Sequence, residues 1–240
     1  MISIKHTITG HEVLQDGAVK PSAILKFMQD AATLDAGNLG ADYNTMRKDD
    51  MIFVISKAMV SFKRMPRIDD VLEIRTWNGK IQGVSLNRDF VMYIDGEVAA
   101  RATTRWVLVS YSQRRILRPD ALKSSVLTNT EEDIGISPER RILLPENTDL
   151  IKNIYRATLT DMDTNGHVNN SRYADYLVDY CNVNLLDKEI RSFEIHFVSE
   201  IKYLEEVEFV SAVLNDKAFV VGQKNDGKQA FSSYIQFGDK

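Results

Sequence analysis

A chain of 240 residues, 44% of them hydrophobic, is long enough to bury a core as one large domain or two half-size ones, which excludes a disordered polypeptide. The formal net charge is −4 and acidic and basic residues are interleaved throughout, so no basic stripe is available for a phosphate backbone and nucleic acid is not an expected partner. Residues 1–10 hold no apolar run long enough for a signal peptide or membrane span, and the one cysteine, Cys181, cannot form an intrachain bridge; a cytoplasmic protein without a membrane partner is expected.

The first predicted element follows Gly17-Ala18-Val19, where Ile24, Phe27, Met28, Ala31 and Leu34 recur at helical spacing. Strand-like runs come next at 52–62, 71–77, 84–94 and 98–110, separated by turn residues. Residues 118–148 carry Pro119, Pro138 and Pro145 among polar residues without a strong period and read as a connector. A short strand at 154–159 precedes a second helical pattern in Tyr173, Tyr176, Leu177, Tyr180 and Cys181, and further strands run from 193 to 237.

The two halves repeat each other. Gly17-Ala18-Val19 aligns with Gly166-His167-Val168 at an offset of 149 (166 − 17), with Asp30 falling on Asp179. Phe62 to Leu72 aligns with Phe197 to Val207 at 135 (197 − 62), and the turn signal Asp95-Gly96 with Asp226-Gly227 at 131 (226 − 95). Three matches in the same order, with smoothly falling offsets, point to a duplication. Each copy has a loop, one helix and several long strands, an α+β arrangement in which a curved antiparallel sheet wraps its helix. A double hot-dog fits this description. The expected limits are an N-terminal repeat at 1–128, a connector at 129–148 and a C-terminal repeat at 149–240.

The densest polar segment, residues 160–170, has three readings. Asp161, Asp163, Asn165 and Gly166 open like an EF-hand loop, but the twelfth position is Arg172 where a bidentate Glu is required, and a strand precedes the segment. This argues against calcium, and no metal or cofactor is expected. A structural reading lets Asn169 or Asn170 cap the following helix. Capping accounts for one or two side chains, not for a histidine between Gly166 and Val168 with further polar residues on the same loop. His167 alone would read as structural; its neighbours favour a site.

The segment Asp163-Thr164-Asn165-Gly166-His167-Val168-Asn169-Asn170, followed by Tyr173, resembles the active-site motif of the acyl-acyl carrier protein thioesterases of plants and bacteria. The resemblance extends to residues 27–32 and 102–108. It places the family's later glutamate at Glu200, within Phe197-Val198-Ser199-Glu200-Ile201-Lys202-Tyr203. The plant enzymes usually carry a cysteine next, where this chain has Ile201, so a papain-like mechanism has no nucleophile there. Cys181 sits on the apolar helix face, where burial is expected. The resemblance implies thioester hydrolysis with acyl carrier protein as the partner that carries the acyl substrate, and Asp163, Asn165, His167 and Glu200 as catalytic positions. Hydrolysis needs an activated water and a donor for the developing oxyanion; His167 and Glu200 suit the first need, Asn165 and the helix-start amides the second, with Asp163 holding Asn165 or His167.

At the offset of 149, Asp163, Asn165 and His167 fall on Leu14, Asp16 and Ala18, and at 135 Glu200 falls on Met65, so the first copy cannot perform this chemistry. The first half is expected to shape the acyl tunnel, with Phe27 and Met28 as substrate-binding residues. An acyl-coenzyme A thioesterase and a non-catalytic acyl binder remain alternatives. Arg114, Arg115, Arg118, Arg140 and Arg141 are candidates for docking the acidic carrier, against the plainer reading of a solvated charged surface. The oligomeric state, a homodimer included, is open.

Overall fold

The structure is a computed structural model that describes residues 1–122, 126 and 133–240. Among the described residues the first repeat comprises β1 (Ile2–Thr7), α1 (Pro21–Asn38), α2 (Tyr43–Lys48), β2 (Met51–Phe62), β3 (Val71–Gln82), β4 (Ser85–Ile94) and β5 (Glu97–Ser110). The second comprises β6 (Ile151–Arg156), α3 (Arg172–Tyr180), β7 (Lys188–Phe197), β8 (Glu206–Leu214), β9 (Lys217–Lys224) and β10 (Gln229–Asp239). All ten strands join one antiparallel sheet in the order β1-β3-β4-β5-β2-β7-β10-β9-β8-β6. Read inward from either edge, both halves have the same order. The halves join where β2 pairs with β7, with Met59 opposite Glu194. These residues are duplicates at the offset of 135 (194 − 59), so a pseudo-twofold axis passes between them.

Alternation along the central strands decides what each face carries. Ala58, Val60 and Phe62 of β2 and Phe193 and Ile195 of β7 point into one core with the buried faces of α1 and α3. Burying each such aromatic or aliphatic side chain contributes roughly 1.5–3 kcal/mol. Pro21 at the first turn presets the entry to α1, and Ile24, Phe27, Met28 and Ala31 are buried as their spacing requires. Leu34 departs from that stripe: it is 56% exposed, and Asp35 is buried beside it instead, paired with Arg88 at 2.7 Å.

Two elements were not foreseen and one is displaced. The edge strand β1 and the six-residue α2 had no counterpart in the sequence reading. The strand expected at 154–159 lies at 151–156, because Thr158 and Asp161 close a capping box over a 3-10 turn, Leu159–Asp161, that leaves Leu159 71% exposed.

The expected boundary at 128/129 falls outside the described residues, as does the start of the connector. Residues 133–148 form no helix or strand and run along the outer face of the sheet. The Glu139 amide donates to the buried Glu194 carboxylate at 2.8 Å, Glu194 also holds His196 at 2.6 Å, and Lys57 Nζ donates to the Arg140 carbonyl at 3.0 Å. No helix among the described residues is long and apolar enough to cross a membrane.

Candidate active site

The loop between β6 and α3 is built twice. In the first repeat Leu14 N–H donates to Ala18 O at 2.8 Å and Gly17 N–H to Leu14 O at 2.9 Å; the same bonds recur from Asp163 to His167 at 2.9 Å and from Gly166 to Asp163 at 3.1 Å. Gly17 and Gly166 both have φ of 81°, the left-handed region that a side chain disfavours, so glycine is what allows both loops to turn. Each loop is also anchored by a carboxylate one 3-10 turn earlier. Glu12 accepts from Thr9 and faces His6 at 3.0 Å; Asp161 accepts from Thr158 and Tyr155 and pairs with Arg172 at 3.0 Å. The first and twelfth positions of the calcium-like pattern thus close on each other as an ion pair. Burial raises the pKa of Asp161, but the hydrogen bonds from Tyr155 and Thr158 and the Arg172 contact outweigh it and hold the carboxyl below its ordinary value.

Two chain segments meet to form the site. Val168 N–H donates to Ile201 O at 2.9 Å and His167 bridges Lys202, which brings the loop against the turn after β7 where Glu200 sits. Beneath them lies an aromatic floor: Tyr173 meets Phe231 at 5.1 Å and Phe197 at 5.3 Å edge to face, and Tyr155 packs on Tyr176 at 4.6 Å. Burial pushes the Tyr173 and Tyr176 hydroxyls far above the usual phenol range, so both stay neutral.

Asp163 organises the polar loop. One carboxylate oxygen accepts the Asn165 backbone N–H at 2.8 Å, while the other accepts Asn165 Nδ2 at 3.3 Å and faces His167 Nδ1 at 3.6 Å. His167 Nδ1 also lies 3.3 Å from the Val168 carbonyl. With acceptors on both sides of Nδ1, the ring proton belongs there and Nε2 is left as an acceptor. The Glu200 carboxylate is exposed and makes no hydrogen bond or ion pair among the described residues. Its backbone carbonyl accepts from Lys224 Nζ, and the Lys224 ammonium pairs with Glu205 at 3.0 Å.

Asn165, His167 and Glu200 line one cleft of about 670 Å³, with Asp163 directly behind Asn165 and His167. Two residues absent from the predicted set share its wall. Asn170 turns into the cleft, whereas its neighbour Asn169 accepts from the Ser171 amide and hydroxyl at 2.9 Å each and organises the helix start. Adjacent asparagines give no sequence signal for which one caps. Tyr173, almost fully buried, also lines the cleft.

The two predicted substrate residues part company. Met28 lines a small crevice of about 30 Å³ with Ile55, Asn170 and Phe197, which also line the cleft. Phe27 lies outside it: its ring packs 4.2 Å from His6, in a separate cavity between α1 and α3. Next to this crevice, across Ala32 and Trp106, an apolar pocket of about 240 Å³ is walled also by Ala36, Ala41, Phe53 and Leu86, of which Ala41 and Phe53 border the cleft as well. Cys181 is fully buried, donates to Val178 O at 3.3 Å and has its thiol pKa raised by burial, so it is no nucleophile.

Two hot-dog repeats sharing one sheet, with one polar site between them, define a tandem hot-dog protein. The model described as the acyl-ACP thioesterase N-terminal domain matches residues 3–121, and that of the C-terminal domain matches residues 145–237. The chain belongs to the acyl-ACP thioesterase family. An acyl-ACP thioesterase from Bacteroides thetaiotaomicron superposes with a TM-score of 0.90 at 22% identity, covering 98% of this chain and 97% of that one. The 12:0-ACP thioesterase from Umbellularia californica does so with a TM-score of 0.85 at 21% identity, covering 100% and 97%. Likeness at these identities is one of fold. An oleoyl-acyl carrier protein thioesterase from Arabidopsis thaliana is 26% identical over 206 residues, covering 76% of this chain and 54% of its own length. The chain thus spans about half the length of the curated relatives it matches.

Proposed function

We propose that this protein hydrolyses the thioester of fatty acyl-acyl carrier protein and releases the free fatty acid. The observation that carries this reading is the convergence of Asn165, His167 and Glu200 on a cleft whose wall continues into an apolar pocket of the first repeat. In the proposed step a water held by Glu200 loses its proton to His167 Nε2 as it attacks the carbonyl carbon. The Asp163 carboxylate orients the imidazole and faces the positive charge it gains. Asn165 Nδ2, already aimed by Asp163 through one of its hydrogens, donates the other to the carbonyl oxygen as charge develops there. The carbon–sulfur bond then breaks, and the His167 proton passes to the departing thiolate, so each turnover consumes one water and yields acid and thiol. The acyl tail lies along Met28 towards Ala32 and Trp106, which gives the first repeat the substrate-holding role. The lone buried cysteine supports placing the enzyme in a reducing cytoplasm.

The test is turnover of acyl-acyl carrier protein and acyl-coenzyme A panels by the wild type, His167→Ala and Glu200→Gln, with circular dichroism of each. Loss of a general acid-base group predicts a kcat lower by at least about 10²-fold in both variants with the fold intact. Faster turnover of the coenzyme A esters would reassign the carrier. Intact thioester after long incubation with the wild type would make the protein an acyl binder.

A further inference from the structure

The wall of the cleft that faces Asn165, His167 and Glu200 comes from the first repeat and has the opposite charge. Tyr43, Met46 and Arg47 of α2 line it, together with Tyr111 and Arg114 from the turn after β5. The Arg47 guanidinium lies 3.1 Å from the centre of the Tyr111 ring and 5.8 Å from that of Tyr43, and the Arg114 guanidinium lies 5.2 Å from the Tyr111 ring. Two cations therefore converge on one aromatic side chain. Neither has a carboxylate within 4.0 Å among the described residues.

Asp50, one of two nearby acids, has its pKa held down by hydrogen bonds from Ser110 and Ser112 and then by the charge of Arg47, but the hydrogen bonds of both carboxylates go to other groups. Asp42 caps α2, accepting from the Asn44 and Thr45 amides at 3.1 Å each and the Thr45 hydroxyl at 2.6 Å. Asp50 accepts from the Ser110 hydroxyl at 2.6 Å and from the Ser112 amide and hydroxyl at 2.8 Å each. Those bonds also fix the turn that presents Tyr111 and Arg114, whose φ of 53° is left-handed. The other arginines considered for docking do not share this wall; Arg140 lies over the outer face of the sheet, its carbonyl held by Lys57.

We propose that Arg47 and Arg114, mounted on Tyr111, form a phosphate site that takes the phosphodiester at the far end of the pantetheine arm. This rests on the thioesterase reading above. A thioester carried on such an arm must place its sulfur beside His167 and its phosphate further out along the same cleft. Guanidinium forks match phosphate oxygens with paired, charge-assisted hydrogen bonds. The Glu200 carboxylate on the opposite wall, with that of Asp163 behind it, repels the phosphate, so the charge difference across the cleft sets the direction in which the arm lies. Both carrier-bound and coenzyme A thioesters present phosphate on pantetheine, and the site recognises this shared chemistry.

The experiment compares Arg47→Gln/Arg114→Gln with the wild type on four thioesters of one acyl chain: acyl-carrier protein, acyl-coenzyme A, acyl-phosphopantetheine and acyl-pantetheine. Losing charge-assisted hydrogen bonds to one phosphate predicts a KM higher by about 10- to 100-fold on the three phosphate-bearing substrates, with kcat little changed. On acyl-pantetheine the change stays below about 2-fold. R47K/R114K keeps the charges without the forks and recovers part of the loss. Loss on the carrier protein alone would overturn the proposal in favour of contacts with the carrier surface. Equal loss on all four, with a lower melting temperature, would make the arginines structural, and no loss on any would refute the site. A wild type inactive on all four would overturn the thioesterase reading and this inference with it.

Discussion

Replacing Asp163 by Asn separates positioning from folding. The substitution leaves an oxygen to accept the Asn165 backbone N–H, now at 2.8 Å, so the turn and its glycine geometry stay in place. On the other side an NH2 group replaces the oxygen that accepts Asn165 Nδ2 at 3.3 Å and faces His167 Nδ1 at 3.6 Å. Three donors then converge where one acceptor stood, so the Asn165 amide turns away and His167 loses the anion that fixes its tautomer and balances its charge. A hydrogen bond to a charged group is worth about 1.5–3 kcal/mol. Both contacts are long, and the His167 and Asp163 side chains keep 21% and 17% exposure, which trims the effect. An expected loss of roughly 1.4–2.7 kcal/mol corresponds to kcat lower by about 10- to 100-fold. KM should be nearly unchanged, because Asp163 touches no part of the acyl tail. Steady-state kinetics on an acyl-carrier substrate, paired with thermal unfolding, reads both quantities. A kcat within 2-fold of wild type would refute the positioning role, and a kcat loss matched by a large drop in melting temperature would show that Asp163 acts through folding.

Three further outcomes are expected. Asp161→Asn should lower stability by roughly 1–3 kcal/mol at neutral pH, because the buried acceptor loses its charge opposite Arg172. Since the folded pKa of Asp161 is depressed, its contribution is present above the ordinary carboxylate range and disappears as pH falls through the lower folded value; acid titration should therefore show a shallower decline in the variant than in the wild type. Gly222→Ala would drive its Cβ into the Phe231 ring that supports Tyr173, predicting a loss of about 1–3 kcal/mol in chemical denaturation and a lower kcat; unchanged stability would show that this floor yields readily. Ala32→Phe, between the small crevice and the apolar pocket, should shift kcat/KM towards shorter acyl chains with little change in melting temperature, whereas uniform loss at every length would place Ala32 in the core.

The duplication was legible because glycine and turn requirements survive when side chains diverge. The offset of 149 holds from the Thr9 and Thr158 caps to the paired loop hydrogen bonds, and the offset of 135 reappears as the Met59–Glu194 pairing at the pseudo-twofold axis. Less local features escaped. Strand β1 alternates Ile2, Ile4 and His6 with more exposed Ser3, Lys5 and Thr7, but six residues at a sheet edge give a faint period. Helix α2 is too short to show one at all. Phe27 and Met28 occupy adjacent positions on one apolar stripe, and helical spacing cannot tell which cavity each faces. Arg47 and Arg114 lie far apart in sequence and meet only because Asp50 ties the turn after β5 to the start of β2.

The paired loops explain how one repeat can hold the chemistry while its twin keeps the shape. Backbone geometry in each loop depends on a left-handed glycine and an upstream carboxylate anchor, Glu12 in one repeat and Asp161 in the other. Neither device uses the side chains that point into the cleft. Leu14 and Ala18 can therefore replace the equivalents of Asp163 and His167 without disturbing a single backbone bond of the loop. Polar side chains in place of Ala18 and Met65, both buried, would carry a desolvation cost with no reaction to serve, whereas Asp16, at the Asn165 position, is accommodated by the Ala18 amide and Lys240. With the proposed water-activating set on one cleft wall, the opposite wall is free to carry other features, and in this chain they are the cationic Arg47–Tyr111–Arg114 cluster at the cleft and the apolar pocket behind it. On the proposed reading, an asymmetric substrate, with a charged carrier end and an apolar tail, is matched by an asymmetric pair of repeats.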